Sequence, residues 1–324
     1  MNQKRPKVYV SRMCAEEGMS LVREFADMRV WEEDRPVPRE VLLREAKDCD
    51  GLLVMLTDKI DAALLEACPN LKIVSNHAVG YDNIEVAACT TRGVLVGNTP
   101  GVLTETTADL AFALILASAR RIGESLDFVR NGQWKHWSPL DLLGFDVHHA
   151  TLGILGMGRI GREVAKRARG FDMNILYHNR SRDEDTEQTL GVQYASKEAV
   201  LRQSDFITLH IPLSAETRYY ISTAELSLMK PTAILINTAR GGVVDQKALY
   251  QAVKNGQIAG AGLDVTDPEP ILLNDPLLQL PNVTIIPHIG SASRATRGKM
   301  AEIAAKNLIA ALKGEPMISC VNPQ

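Results

Sequence analysis

Residues Thr151–Arg169 read TLGILGMGRIGREVAKRAR. An apolar run ends in Gly156-Met157-Gly158-Arg159-Ile160-Gly161, and an amphipathic run reaching Arg169 follows. In a strand–turn–helix unit, Gly156 permits the tight turn and Gly158 lets the backbone approach a pyrophosphate. Gly161 allows the helix to pack closely on the strand. The helix N-terminus then offers N–H donors and partial positive charge to phosphates. A lone G-x-G-x-x-G also describes many ordinary turns. Here a strand precedes it, a helix follows, and the next strand candidate, NILYHN, comes in register behind, so the stretch reads as a dinucleotide site.

That next strand runs Asn174-Ile175-Leu176-Tyr177-His178-Asn179-Arg180-Ser181-Arg182. A site for the unphosphorylated dinucleotide places Asp or Glu about 20 residues past the glycines, on the adenosine ribose. Asn179 lies 18 residues after Gly161 and is neutral, and Arg180, Ser181 and Arg182 follow at once. Two guanidiniums and a hydroxyl suit a 2′-phosphate that a carboxylate would repel. The plainer alternative is a solvated basic turn. The reading is NADP(H) preferred, with NAD(H) also accepted.

Outward from this unit, short β-rich runs alternate with helical patterns. Strand candidates in the first third are Lys7–Arg12, Met28–Trp31, Gly51–Leu56, Lys72–Asn76 and Val94–Val96, with helical patterns at Glu16–Phe25, Arg39–Ala46, Asp61–Ala67 and Ile84–Thr90. Continuous apolar runs such as VYV and LLVML suit parallel strands covered on both faces. Thr99-Pro100-Gly101 breaks the rhythm, and Thr104–Arg130 then reads as one long helical pattern. A poorly periodic segment with Trp134 and Trp137 precedes the second series, TLGILG, NILYHN, FITLHI, AILINT, AGLDV and VTIIPH. Arg294–Lys313 is a final helical pattern, placed so that it could cross back to the first unit. The fold class is α/β, with two doubly wound parallel-sheet units.

Composition narrows the class of function. The 324 residues carry 36 Lys+Arg against 39 Asp+Glu, and 45% are hydrophobic, enough for two cores. The longest apolar-rich stretch, Ala108–Ala119, is too short to span a bilayer, and the N-terminal MNQKRPKVYVSR lacks the apolar run of a secretory signal. Scattered charge of both signs offers no footprint for nucleic acid or membrane. Cys14, Cys49, Cys68, Cys89 and Cys320 are odd in number and widely spaced, without a metal-binding pair. The expectation is a soluble, cytoplasmic protein of free thiols, with no metal, no nucleic acid and no membrane partner.

Three later motifs each supply a polar residue at an expected strand end. Ile234–Ala239 leads into Arg240-Gly241-Gly242, and an Arg there could fork onto a carboxylate or carbonyl oxygen. Ala261–Val265 leads into a proline-flanked Glu269, and Val283–Ile286 into Pro287-His288-Ile289-Gly290. Taken singly, these read equally well as a structural salt bridge, an acidic loop and a hydrogen-bonded histidine. Together they place cation, carboxylate and imidazole at the carboxyl edge of one sheet, where ligands of open α/β folds bind.

The segments Asp146–Ala168 (DVHHATLGILGMGRIGREVAKRA), Leu235–Pro270 (LINTARGGVVDQKALYQAVKNGQIAGAGLDVTDPEP) and Val283–Ser293 (VTIIPHIGSAS) resemble the D-isomer-specific 2-hydroxyacid dehydrogenases. His77–Gly101 (HAVGYDNIEVAACTTRGVLVGNTPG) extends the resemblance over nearly the whole chain. The pattern is most similar to glyoxylate/hydroxypyruvate reductases and 2-ketogluconate reductases.

The resemblance implies a discontinuous, flavodoxin-like substrate domain of residues 1–99 plus 288–324. It also implies a Rossmann cofactor domain at 100–287, with a dimerisation arm near 120–150 that would make the protein a homodimer. His288 is then the proton donor to a 2-keto acid and Glu269 its carboxylate partner, favouring the imidazolium form. Arg240 binds the substrate carboxylate and polarises the carbonyl, and the product is the D-2-hydroxy acid. Leu56, Val79 and Gly80 match substrate-binding positions. Thr107, Met157 to Ile160, Pro212, Thr238, Asp264 and Gly290 match cofactor contacts. A dinucleotide-sensing, corepressor-like interaction protein on the same fold is the alternative, since such proteins can keep the three polar residues; turnover of glyoxylate with NADPH separates the two.

Overall fold

The apolar runs become strands because each must bury both faces. In the computed structural model, which describes residues 5–323, the first sheet comprises β1 (Lys7–Val10), β2 (Asp27–Val30), β3 (Gly51–Val54), β4 (Ile73–Asn76) and β5 (Leu95–Gly97). Residues 1–4, the start of the N-terminal stretch read above, and residue 324 lie outside the described residues. The strands are parallel and ordered β2-β1-β3-β4-β5, the flavodoxin-like order.

Alternation along the strands assigns the two faces. Val8, Val10, Leu53 and Ile73 pack on Met19 and Val22 of helix Glu16–Phe25 and on Ala304 and Leu308 of helix Arg294–Lys313. Tyr9, Leu52, Val54 and Val74 face Leu42, Leu64 and Cys89 on the opposite side. The last long helix thus completes the first unit. Ser75 Oγ donates to Ala304 O at 2.7 Å, and the fully buried Asn307 donates to Asn98 O at 2.9 Å.

The second sheet holds β6 (Thr151–Leu155), β7 (Asn174–His178), β8 (Gln193–Tyr194), β9 (Phe206–Leu209), β10 (Ile234–Asn237), β11 (Gly260–Leu263) and β12 (Val283–Ile285). Its order is β12-β11-β10-β9-β6-β7-β8, parallel throughout. The chain builds outward from β6 in one direction, then returns to lie beside β6 and builds in the other. That reversal makes a crevice at the carboxyl ends of β6 and β9. Leu152, Ile154, Phe206 and Ile236 pack under helices Thr104–Ala119 and Arg159–Arg169. Leu155, Ile207, Leu209 and Leu235 fill the other face.

Two sequence expectations change. The single pattern Thr104–Arg130 is two helices, Thr104–Ala119 and Ile122–Arg130, because Arg121 takes a left-handed backbone (φ 51°) and turns the chain. The hydrophobic period carries no sign of that turn. The two compact units are Met1–Leu103 with Ala292–Gln324, and Thr104–Ser291, so each boundary lies four residues later than expected. His288 therefore sits in the second unit, where its N–H donates to Asp264 O at 2.9 Å and its ring meets Glu269. Strand β8, two residues at a sheet edge, is too short for any period to register. Among the described residues no helix is long and apolar enough to cross a membrane.

Candidate active site

The glycine turn after β6 has the geometry its residues require. Gly156 adopts φ +104°, open mainly to glycine, and a Cβ on Gly161 would lie 2.3 Å from Gly156 O. Space above Gly158 is open, since a Cβ there would meet nothing within 4 Å. Helix Arg159–Arg169 starts at this point, its axial partial charge directed at the opening. Arg159 is exposed and Ile160 half-buried beside it, whereas Met157 is buried.

At the end of β7 the side chain of Asn179 turns back onto this loop, its Oδ1 accepting from Met157 N at 2.7 Å. Arg180 and Ser181 are exposed. Arg182 is exposed too, but it forks onto Glu187, Nε to Oε1 at 2.8 Å and Nη2 to Oε2 at 2.8 Å. The sequence expectation gave both arginines to a phosphate; the structure pairs Arg182 with a carboxylate five residues downstream, a contact that adjacency in sequence did not reveal. Tyr177 Oη donates to the same Glu187 at 2.8 Å, which fixes that carboxylate in place.

Further along the carboxyl edge stand the other expected cofactor contacts. Pro212 is exposed just after β9, its carbonyl accepting from Thr217 Oγ1 at 2.6 Å. Thr238 Oγ1 is buried without a hydrogen-bond partner among the described residues. Asp264, almost wholly buried after β11, accepts from Ile289 N at 2.6 Å and Gly290 N at 2.9 Å. Burial pushes its carboxyl upward, against the pull of those two amides and of His288. Gly290 lies between Asp264 and the buried Thr107. The open helix N-terminus, the orphan hydroxyl and the polar strand ends together fit a dinucleotide.

Arg240, Glu269 and His288 follow β10, β11 and β12, three adjacent strands, so the sheet brings together residues up to 48 positions apart. His288 Nδ1 and Glu269 Oε1 are 2.5 Å apart, and both side chains stay partly open to solvent. His288 has φ 50°, and its N–H is held by Asp264 O, so the buried aspartate and the histidine are locked to each other through the backbone. One ring nitrogen is thereby engaged, leaving Nε2 to exchange a proton.

Arg240 owes its position to residues the motif reading passed over. Asn237 donates from Nδ2 to Arg240 O at 2.9 Å and accepts from Ala239 N at 3.0 Å, bracing the turn from both sides. An Asn two residues before a turn amide is an Asx-turn signal, so N-T-A-R-G-G already contained the clue. A Cβ on Gly241 would lie 1.9 Å from Thr266 O. This close approach presses the Arg240 turn against the loop that carries Glu269, which is itself tied down by Thr266 Oγ1 donating to Pro268 O (2.8 Å) and Asp267 N donating to Gln246 Oε1 (3.0 Å). Leu56, Val79 and Gly80 are half-buried at the carboxyl edge of the first sheet. Among the described residues no cluster of His, Cys, Asp and Glu could hold a metal ion.

Comparison with known proteins agrees with this chemistry. Residues 112–290 match the family model described as D-isomer specific 2-hydroxyacid dehydrogenase, NAD binding domain. A glyoxylate reductase of Korarchaeum cryptofilum is 53% identical over 321 residues, covering 99% of this chain and 97% of its own. The crystal structure of the TT0316 protein from Thermus thermophilus superposes with a TM-score of 0.92 at 43% identity, covering 97% of this chain and 99% of its own. That of an NADPH-dependent glyoxylate/hydroxypyruvate reductase from Sinorhizobium meliloti, in complex with NADP and malonate, gives 0.86 at 33% identity, covering 98% and 97%.

Proposed function

From the premise that this chain belongs to the D-isomer-specific 2-hydroxyacid dehydrogenases, as an NAD(P)-dependent member, we propose that it reduces small 2-keto acids to D-2-hydroxy acids with NADPH. Glyoxylate is the first substrate proposed, followed by hydroxypyruvate and 2-ketogluconate. The observation that carries the reading is the 2.5 Å His288–Glu269 pair on the strand ends next to Arg240. The similarity to glyoxylate reductases supports the substrate class.

In this reading Arg240 takes the substrate carboxylate and polarises the 2-carbonyl oxygen. His288 Nε2 gives its proton to the oxygen as negative charge develops there. Glu269 accepts from Nδ1, which fixes the ring and turns Nε2 to the task. The nicotinamide cofactor supplies the hydride that C2 receives. The Gly156–Gly161 turn and the N-terminus of helix Arg159–Arg169 would hold the pyrophosphate; Thr107, Pro212, Thr238, Asp264 and Gly290 would line the rest. A panel of kcat/KM values for glyoxylate, hydroxypyruvate, pyruvate and 2-ketogluconate tests the proposal, and no turnover of any of them would overturn it.

Cofactor preference rests on Asn179, Arg180 and Ser181, with Arg182 available only by leaving Glu187. An exposed ion pair contributes little, so that exchange costs little and gains little. We expect about tenfold higher kcat/KM with NADPH than with NADH at low salt, and parity in Arg180→Ala. Added salt should erode the preference. Equal kcat/KM for the two cofactors in the wild type would make the turn an ordinary solvated one.

A homodimer is part of the proposal. Helix Ile122–Arg130 buries no residue, and the segment after it exposes Trp134 (64%), Trp137 (79%), Leu140 and Leu143. Isolated tryptophans at such exposure suit a subunit contact. Light scattering should give two chains per particle, and Trp134→Ser with Trp137→Ser should shift the mass towards one; a monomeric wild type would remove the arm from this role. The free cysteines fit the proposed cytoplasmic location.

A further inference from the structure

In the first unit the strand order changes direction between β1 and β3, the place where open parallel sheets bind ligands beyond their carboxyl ends. Ser11 and Arg12 leave β1 there, and Met55, Leu56 and Asp58 leave β3. The loop Ala78-Val79-Gly80 follows β4 on the next position. These segments form one braced edge. Asp58 is buried; its Oδ2 accepts from Ser11 Oγ and, at 2.8 Å, from Met55 N. Asn83 donates to Met55 O (3.2 Å) and Asp58 O (3.0 Å), and Asn76 donates to Asn83 Oδ1 (3.3 Å) and Gly80 O (2.8 Å).

Arg12 stands at this edge with its fork unengaged. Its Nε and Nη2 are buried and have no hydrogen-bond partner among the described residues. Burial pushes the Asp58 carboxyl upward against the pull of Ser11, Met55 and, least of these, Arg12, and the Asp58 oxygen facing this network is already taken by Ser11 and Met55. Buried guanidinium N–H groups without acceptors are costly, and a structural arginine would have found one. A planar guanidinium fork on a residue that leaves β1 at this edge matches an oxygen-bearing group.

We propose that Arg12 forms a distal substrate subsite, binding the oxygen-bearing group on C3 of a 2-keto acid whose C1 carboxylate lies on the Val79 and Gly80 amides. β1 is two strands from β4, about 10 Å at the usual spacing. The long Arg12 side chain and a three-carbon acid together cover that span, with Leu56 just beyond the intervening strand. The proposal rests on the substrate reading above and extends it to what lies beyond C2.

The test compares glyoxylate, which has no C3, with hydroxypyruvate, which carries a C3 hydroxyl, as kcat/KM of the NADPH-supplied enzyme. In Arg12→Gln the hydroxypyruvate-to-glyoxylate ratio should fall about tenfold to hundredfold. In Arg12→Lys, which keeps the charge without the fork, it should fall less but still by more than about threefold. If Arg12→Gln does not fold, Arg12→Lys carries the test at that threshold. A smaller fall, or a loss shared equally by both substrates, overturns the subsite while leaving the substrate class intact. A wild type that reduces neither acid overturns the substrate reading and the subsite with it.

Discussion

His288→Ala should lower kcat for 2-keto acid reduction about 10²–10⁴-fold, the range that a positioned general acid contributes. KM should move much less, because the residue assigned to the substrate carboxylate, Arg240, is untouched. His288 has a positive φ of 50°, which Asn tolerates better than Ala. His288→Asn therefore separates lost chemistry from a strained loop, and it should be as inactive as His288→Ala. Glu269→Gln keeps an oxygen within reach of Nδ1 but removes the charged carboxylate that holds the ring, and kcat should fall about tenfold to hundredfold with KM little changed. Wild-type kcat in this variant would take Glu269 out of its assigned role.

Arg240→Lys should cost about 10²-fold in kcat/KM, with KM raised and kcat lowered together. A lysine keeps the positive charge but cannot hold carboxylate and carbonyl oxygens at once through a planar fork. The turn itself should survive. Asn237 braces it through backbone atoms of Ala239 and Arg240, and Gly241 sets its approach to Thr266, all independent of the side chain at 240. A variant with wild-type kinetics would assign Arg240 to the scaffold, where its Nη1 donates to Ala239 O at 2.9 Å.

The local grammar of this chain was legible from residue order. The Gly156–Gly161 turn, the buried runs of β1, β3, β6 and β10, and helix Arg294–Lys313 each follow from sterics and period within a few neighbouring residues. So did the placing of Arg240, Glu269 and His288 in the loops that follow β10, β11 and β12, since a polar residue shortly after a buried run falls at the carboxyl edge of its strand. The break at Arg121 was not legible, because a left-handed residue leaves the apolar period on either side intact.

Partnership was decided by tertiary structure. Only the order β12-β11-β10 sets His288 and Glu269, 19 residues apart, 2.5 Å from each other and beside Arg240. Only the fold directs Arg182 to Glu187 and turns Asn179 onto Met157. Arg12, one of many arginines in the sequence, gains its meaning from the edge on which it is left without an acceptor. The physical reason is range. Helix, strand and turn preferences act between near neighbours and are written in their order, whereas a hydrogen bond acts over about 3 Å in space, and which groups come that close is fixed only when the sheets assemble.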